Sequence, residues 1–285
     1  MSSFDAALLR QLSNVSTPYR DPLALIEWGA LSLDDAWLPE PALSLHGLPE
    51  YAILSDTVKR RLSQYEFINV MLCGLWLEGL LLLRLARRLK PGLARSEHEY
   101  LLHEMREEAG HSLMFLKAIE SSGLPLPERA WRPPPLSGLL ARRLPLTGAF
   151  FWLAAVIAEH VPDQFNRVVR QSAQHVNTAV RQILSVHIVD EARHIALARE
   201  RLETLVGRSS AVRRVVLARA AHALIGDLVN VCYFPAPRFY ELAGLTPGDA
   251  WRRRALGNPA RRAFIAQCLG ATRRMLGSLG LNVGH

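Results

Sequence analysis

The strongest constraint on this chain is a set of acidic and imidazole side chains embedded in apolar helical sequence. Glu78 lies inside Leu75-Trp-Leu-Glu-Gly-Leu-Leu, and Glu159 inside Val156-Ile-Ala-Glu-His. Two further segments, Glu108-Ala-Gly-His111 and Glu191-Ala-Arg-His194, each carry an imidazole three residues after a carboxylate. On a helix this spacing makes surface neighbours, so both groups reach the same ion. Four carboxylates taken into a helical core must be neutralised, because an unpaired buried charge is strongly unfavourable. Taken singly, each element has an ordinary reading: a Glu-x-x-His on a solvated face, or a glutamate answering one of the many arginines. Taken together, one element per helix in the order Glu, Glu-x-x-His, Glu, Glu-x-x-His, they point to two divalent cations held between four helices. Imidazole and carboxylate together suit iron.

The surrounding sequence supplies those helices. Apolar residues recur with helical period along nearly every long segment, and no convincing alternating strand pattern occurs. After an amphipathic stretch at 4–12, a Pro-punctuated section to about residue 50 is expected to wrap the surface. A long helix is expected from Asp56 to Lys90, stopped by Pro91-Gly92. The next should open on a capping box at Ser96-Glu97-His98-Glu99 and end at Ser121-Ser122-Gly123. The connection from Leu124 to about Leu146 holds six prolines and no clear period, as expected of the long crossover joining two helical hairpins. Further helices are expected at about 147–173, from an Asn177 cap to Gly207, at 210–234, 246–256 and 259–279. Pro162 lacks a backbone donor and is expected to kink the third long helix. No domain boundary stands out, so the reading is one all-α domain over 1–285. It comprises a metal-binding bundle at about 56–207, accessory helices at 208–285, and additional helices at both ends of the chain.

His187 sharpens the pattern. It precedes Glu191 by four residues and His194 by seven, so all three project from one helix face. As a bland alternative, it is a packed core histidine or one that orients a ligand. At this point the chain resembles the p-aminobenzoate N-oxygenase family of non-haem di-iron oxygenases, over roughly Glu66 to Val206. The His-x-x-x-Glu-x-x-His element is the most specific part of the match. The resemblance implies a ferritin-like four-helix bundle with Glu78, Glu108, His111, Glu159, His187, Glu191 and His194 as metal ligands, and no catalytic residues beyond them. It also implies two iron ions, O2 as co-substrate, an external electron donor of the ferredoxin or flavin reductase type, and a homodimer. The implied reaction is N-oxygenation of an arylamine or other small amine to a hydroxylamine or nitro product. A di-iron C–H hydroxylase or desaturase and a ferritin-like iron-storage protein are the rival readings, because metal ligands alone do not set regiochemistry.

Several other polar residues are candidates for orienting ligands or lining a pocket. Tyr100 and Glu104 precede Glu108 on its own helical face, Asp163 follows Glu159 by one turn, and Asp190 adjoins Glu191. His222, Asp227 and Asn230 interrupt an apolar helix downstream. Surface salt bridges are the competing reading for each.

Composition excludes more than it selects. The net charge of +8 comes almost wholly from arginines scattered over helices, with no basic tail, so nucleic acid is not an expected partner. The apolar run at 70–83 falls short of the roughly 20 residues a membrane span needs and contains Glu78. Cys73, Cys232 and Cys268 are far apart, with neither zinc spacing nor a disulfide framework. Together with the polar start of the chain, this makes a reducing cytoplasm the expected location.

Overall fold

A computed structural model describes residues 6–128, 130–133, 148–172 and 175–283. The helices are α1 (Ala6–Val15), α2 (Pro49–Ala52), α3 (Asp56–Arg88), α4 (Arg95–Ser121), α5 (Ala149–Gln171), α6 (Thr178–Gly207), α7 (Ala211–Cys232), α8 (Pro237–Leu242), α9 (Gly248–Gly257) and α10 (Pro259–Ser278). No strand occurs among the described residues. Polar caps set several starts. Ser55 accepts from the Val58 amide, Asn177 from Ala179 and Val180, Ser210 from Arg213, and Asn258 from Ala260, each relieving an otherwise orphaned amide. The capping box expected at Ser96 is not used. The left-handed Gly92 turns the chain early, and α4 begins at Arg95 after an Ala94 cap that makes no side-chain bond.

Short connections fold α3 back along α4 and α5 back along α6, giving two antiparallel hairpins whose inner faces meet. Much of the long connection between them, at 134–147, lies outside the described residues. α5 runs continuously through Pro162. α7 covers α5 and α3, and α10 crosses α5, where His160 Nδ1 meets Thr272 Oγ1 at 2.8 Å. Both α3 and the stretch Ala211–Leu242 contain apolar windows long enough to cross a membrane, but the α3 window is 56% buried in the fold.

Two expectations require correction. The Pro-punctuated section does not simply wrap the surface: Trp37, Leu38, Ala42, Leu43 and Leu45 are buried. Its backbone polar groups find fixed partners, which makes that burial tolerable. Ser44 donates its amide and hydroxyl to buried Glu66, Asn258 donates to the carbonyls of Ser44 and His46, and Arg261 donates to the carbonyls of Ala42 and Tyr233. Burial pushes the Glu66 carboxyl upward, with Arg261 4.0 Å away opposing it. The cysteines are not all separate either. Cys73 and Cys232, 159 residues apart, are joined in a disulfide, and Cys268 is free and buried. Spacing along the chain hides the pairing, because the end of α7 meets α3 only in the fold. Asn69 donates to the carbonyls of Val231 and Cys232 there.

Arg261 is thus the buried cation that ties the N-terminal section to the C-terminal helices. Replacing it with Met strands Glu66 and two carbonyls, and should lower unfolding free energy by about 3–5 kcal/mol in chemical denaturation. Adding Glu66→Gln to Arg261→Met should recover part of that loss. An unchanged midpoint in the single variant would refute the assignment.

Candidate metal centre

The seven residues that the sequence pattern singles out meet in the middle of the bundle. Glu78, His111, His187 and Glu191 form one group, and Glu108, Glu159, Glu191 and His194 a second. Ligand atoms within each group lie within 4.8 Å of one another, and every residue is buried. Glu191 belongs to both groups, which makes it the natural bridge between two ions. Nδ1 of His111 lies 3.4 Å from Glu108 and 3.3 Å from Glu191, and Nδ1 of His194 lies 2.8 Å and 3.5 Å from the same two carboxylates. His187 turns its other nitrogen inward, with Nε2 3.2 Å from Glu78 and 3.5 Å from Glu191. Both oxygens of Glu108 and Glu191, one of Glu78, and Nδ1 of His111 and His194 are buried without a well-formed hydrogen bond. Inward-facing lone pairs of this kind are what a pair of cations would satisfy, so the donor set fits a dinuclear metal site.

The nitrogens that face outward are braced across the hairpins. His111 Nε2 on α4 meets Asp190 on α6 at 3.3 Å, and His194 Nε2 on α6 meets Glu107 on α4 at 3.0 Å. Arg193 closes the ring, with Nη2 2.8 Å from Asp190 and 2.9 Å from Glu107. The acid preceding each Glu-x-x-His therefore holds the histidine of the other helix, and such partners fix tautomer and ring orientation. Glu107 and Arg193 escaped the sequence reading, although the repeated acid-Glu-x-x-His pattern carries the signal. Asn166 also escaped it. Two turns after Glu159, it sits 3.3 Å from Nδ1 of His187. The contacting atom is the amide nitrogen Nδ2, which donates to Nδ1 and so places the proton of the neutral ring on Nε2, toward Glu78,.

The electrostatics follow from crowding. Burial pushes Glu78 and Glu159 well above 4.5, and the neighbouring carboxylates Glu108 and Glu191 add to the rise. Burial also opposes ionisation of Glu108, but the His194 charge prevails and holds it at about 2. Glu191 is likewise held low by hydrogen bonding and nearby imidazoles. His111 and His194 rise well above 6.5 despite burial, because carboxylates surround them. His187 is pushed down by burial, toward the neutral ring.

The lesser candidates divide. Asp190 braces His111 as described. Tyr100 is buried beside Glu104, and burial raises the Glu104 carboxyl to about 7. Asp163 is taken up in an ion pair with Arg167 at 2.8 Å. His222 and Asn230 are exposed on α7, because that helix buries only its opposite stripe, and Asn230 accepts from Arg252. Asp227, also exposed, lines an apolar cavity of about 100 Å³ with Trp76, Arg84, Phe151 and Leu224. Leu77, Leu81 and Ala158 are shared between this cavity and the space beside Glu78, Glu159 and His187.

Comparison with known proteins gives a consistent result. The family model for p-aminobenzoate N-oxygenase AurF matches residues 4–280. An uncharacterized protein of Mycobacterium tuberculosis is 25% identical over 260 residues, covering 90% of this chain and 75% of that protein. One from Mycobacterium bovis is 24% identical over the same extent. Among solved structures, a mutant R2-like ligand-binding oxidase with an aerobically reconstituted Mn/Fe cofactor aligns at TM-score 0.55. Its identity is 13%, with 95% of this chain and 93% of that chain covered, and the likeness establishes the ferritin-like fold.

Two predictions follow from this geometry. Arg193→Met should weaken metal affinity by about 10- to 100-fold in a chelator competition, while Arg167→Met, which alters only the pair with Asp163, should leave it unchanged. Equal effects from the two variants would remove the brace from the account. The second concerns pH. Groups raised in the folded state (His111 and His194 above 6.5, Glu78 and Glu159 above 4.5) stabilise fully below those unfolded values. That stabilisation is lost as pH rises through the folded values. The metal-free protein should therefore show a Tm that falls as pH rises above about 5, whereas metal affinity should climb as bound protons are displaced. Calorimetry in buffers of different ionisation enthalpy counts those protons, and a metal-binding enthalpy independent of buffer would contradict it.

Proposed function

The chain belongs to the p-aminobenzoate N-oxygenase family, and from that premise we propose that it is an O2-dependent di-iron oxygenase acting on the nitrogen of an arylamine or related amine. The observation that carries the reading is the buried seven-residue donor set, with Glu191 common to both groups and His187 as a third imidazole. Two iron ions bound there would supply the redox chemistry that activates O2 for transfer to nitrogen. A manganese–iron pair, as in the solved oxidase of similar fold, is the alternative that metal analysis separates from this one.

The protein's own part is positional. Asp190 and Glu107 fix the two braced histidines, and Asn166 fixes the third. Burial of all seven ligands keeps bulk water from the reacting space,. The apolar cavity behind Leu77, Leu81 and Ala158 suits a flat aromatic ring delivered to the side of the centre where Glu78, Glu159 and His187 lie,. That apolar approach favours an organic substrate over hydrated iron, and so an oxygenase over a storage protein. Electrons from an external ferredoxin or flavin reductase complete the proposed cycle, with neither nucleic acid nor membrane as a partner.

Wild-type protein loaded anaerobically with ferrous iron should retain two irons per chain. Glu191→Ala should lose both, because that carboxylate serves both groups. On admission of O2 and an electron source, a panel of arylamines followed by mass spectrometry should yield hydroxylamine or nitro products. Carbon-hydroxylated products alone would replace the amine assignment, and an iron-free folded protein that takes up no metal would end the di-iron one.

A further inference from the structure

A basin of about 610 Å³ is lined by the connection after α4, the end of α7 and α9, and none of its lining residues belongs to the metal centre. Its size is that of a site for a cofactor-sized molecule. Three guanidinium groups line it from two separate parts of the chain: Arg132, and Arg252 with Arg253 on α9. Asp249 is the one carboxylate among them, so positive charge is in excess. Arg252 is held in place, with Nε donating to the Pro235 carbonyl at 3.2 Å and Nη2 to Asn230 at 2.9 Å. Arg132 and Arg253 are exposed and have no partner among the described residues. Scattered surface arginines need no explanation. Gathered on one concave wall, they call for an anion, and a phosphate accepts several guanidinium bonds at once.

The inner wall makes a different demand. Asn69 is fully buried and lines the basin, and its amide nitrogen donates to the carbonyls of Val231 and Cys232 at 3.1 Å and 2.8 Å. Turning the amide over would forfeit both bonds, so the oxygen is fixed where it stands, and it has no partner,. A buried acceptor left open is costly. The basin therefore asks for an N–H or O–H donor as well as an anion. Trp131 and Phe234 add aromatic surface, against which a planar ring packs.

The position of the basin supplies the rest. Asn69 and Glu78 are nine residues apart on α3, about 13 Å along the helix axis. The Trp131 ring packs on Trp76 with centroids 6.2 Å apart, and Trp76 lines the apolar cavity beside the centre. We infer that the basin binds reduced flavin mononucleotide (FMN) and is the point at which electrons enter the protein. The phosphate meets the arginines, the isoalloxazine lies against Trp131 and Phe234, and its ring N–H donates to Asn69 Oδ1. The inference rests on the oxygenase reading for its chemistry. One reduced flavin yields two electrons and two protons and leaves oxidised. One atom of O2 enters an N–H bond of the amine, and the other takes up those protons and leaves as water.

Binding is tested without metal or O2, so the basin stands or falls apart from the oxygenase reading. Oxidised FMN titrated into the metal-free full chain should lose fluorescence as its ring stacks on Trp131. Riboflavin, which lacks the phosphate, should bind at least about 10-fold more weakly. Arg253→Glu sets an anion against the phosphate at an exposed position. It should weaken FMN by at least about 10-fold and leave riboflavin unchanged, whereas Trp131→Leu should weaken both. With iron loaded, anaerobic reduction by reduced FMN should saturate with flavin concentration in the wild type and lose that saturation in Arg253→Glu. Absence of quenching, equal affinities for FMN and riboflavin, an unaffected Arg253→Glu, or displacement of FMN by equimolar AMP would each overturn the assignment.

Discussion

Four glutamates share one bundle core, and the rest of the molecule is arranged around the cost of keeping them there. Two of them, Glu108 and Glu191, sit beside imidazoles that hold them ionised, and the other two, Glu78 and Glu159, are driven toward the neutral acid by burial and by those same anions. Without partners, a single ionised carboxylate in such a place would be severely destabilising. This explains why the sequence flanking Glu78 and Glu159 on α3 and α5 is nearly all apolar. α3 and α5 must supply enough packing around Glu78 and Glu159 to tolerate one demanding polar group each.

The same constraint accounts for the crossed bracing. A histidine free to rotate would spoil the geometry of both groups, since Glu191 is common to them. Each Glu-x-x-His helix therefore fixes the other's imidazole through the acid one residue earlier, and Arg193 ties the two acids together. The bracing also locks α4 to α6, two helices that otherwise share little contact. The centre thus helps to hold the two hairpins in register while the hairpins hold the centre.

How much of this was legible in the sequence depended on whether the signal was local. The seven ligands stand out because each is a polar residue in an apolar helical period, and their one-per-helix order implies the bundle. Helix ends at Asn177 and Ser210 are equally local, set by the caps themselves. Glu107 and Arg193 were hidden because a charged residue beside a ligand reads as solvated surface until the opposite helix is in place. His222 was misplaced for the converse reason. It interrupts an apolar helix, but α7 keeps that side uncovered in the monomer, so periodicity alone assigned it an inside it does not have. The buried section around Trp37 and the Cys73–Cys232 pair depend on contacts between distant parts of the chain, about which spacing is silent.

The charge account also explains how such a core can form before any metal arrives. Glu108 and Glu191 are held toward the anion, His111 and His194 toward the cation, and Glu78, Glu159 and His187 toward the neutral form, so the opposed charges of the seven side chains offset one another. Divalent ions bound there would displace protons from these groups instead of adding bare charge to the core, so folding and metal uptake can proceed as separate steps. The third histidine fits this balance because it is the one imidazole of the three that burial pushes toward the neutral ring. It adds a donor without adding a charge to be displaced.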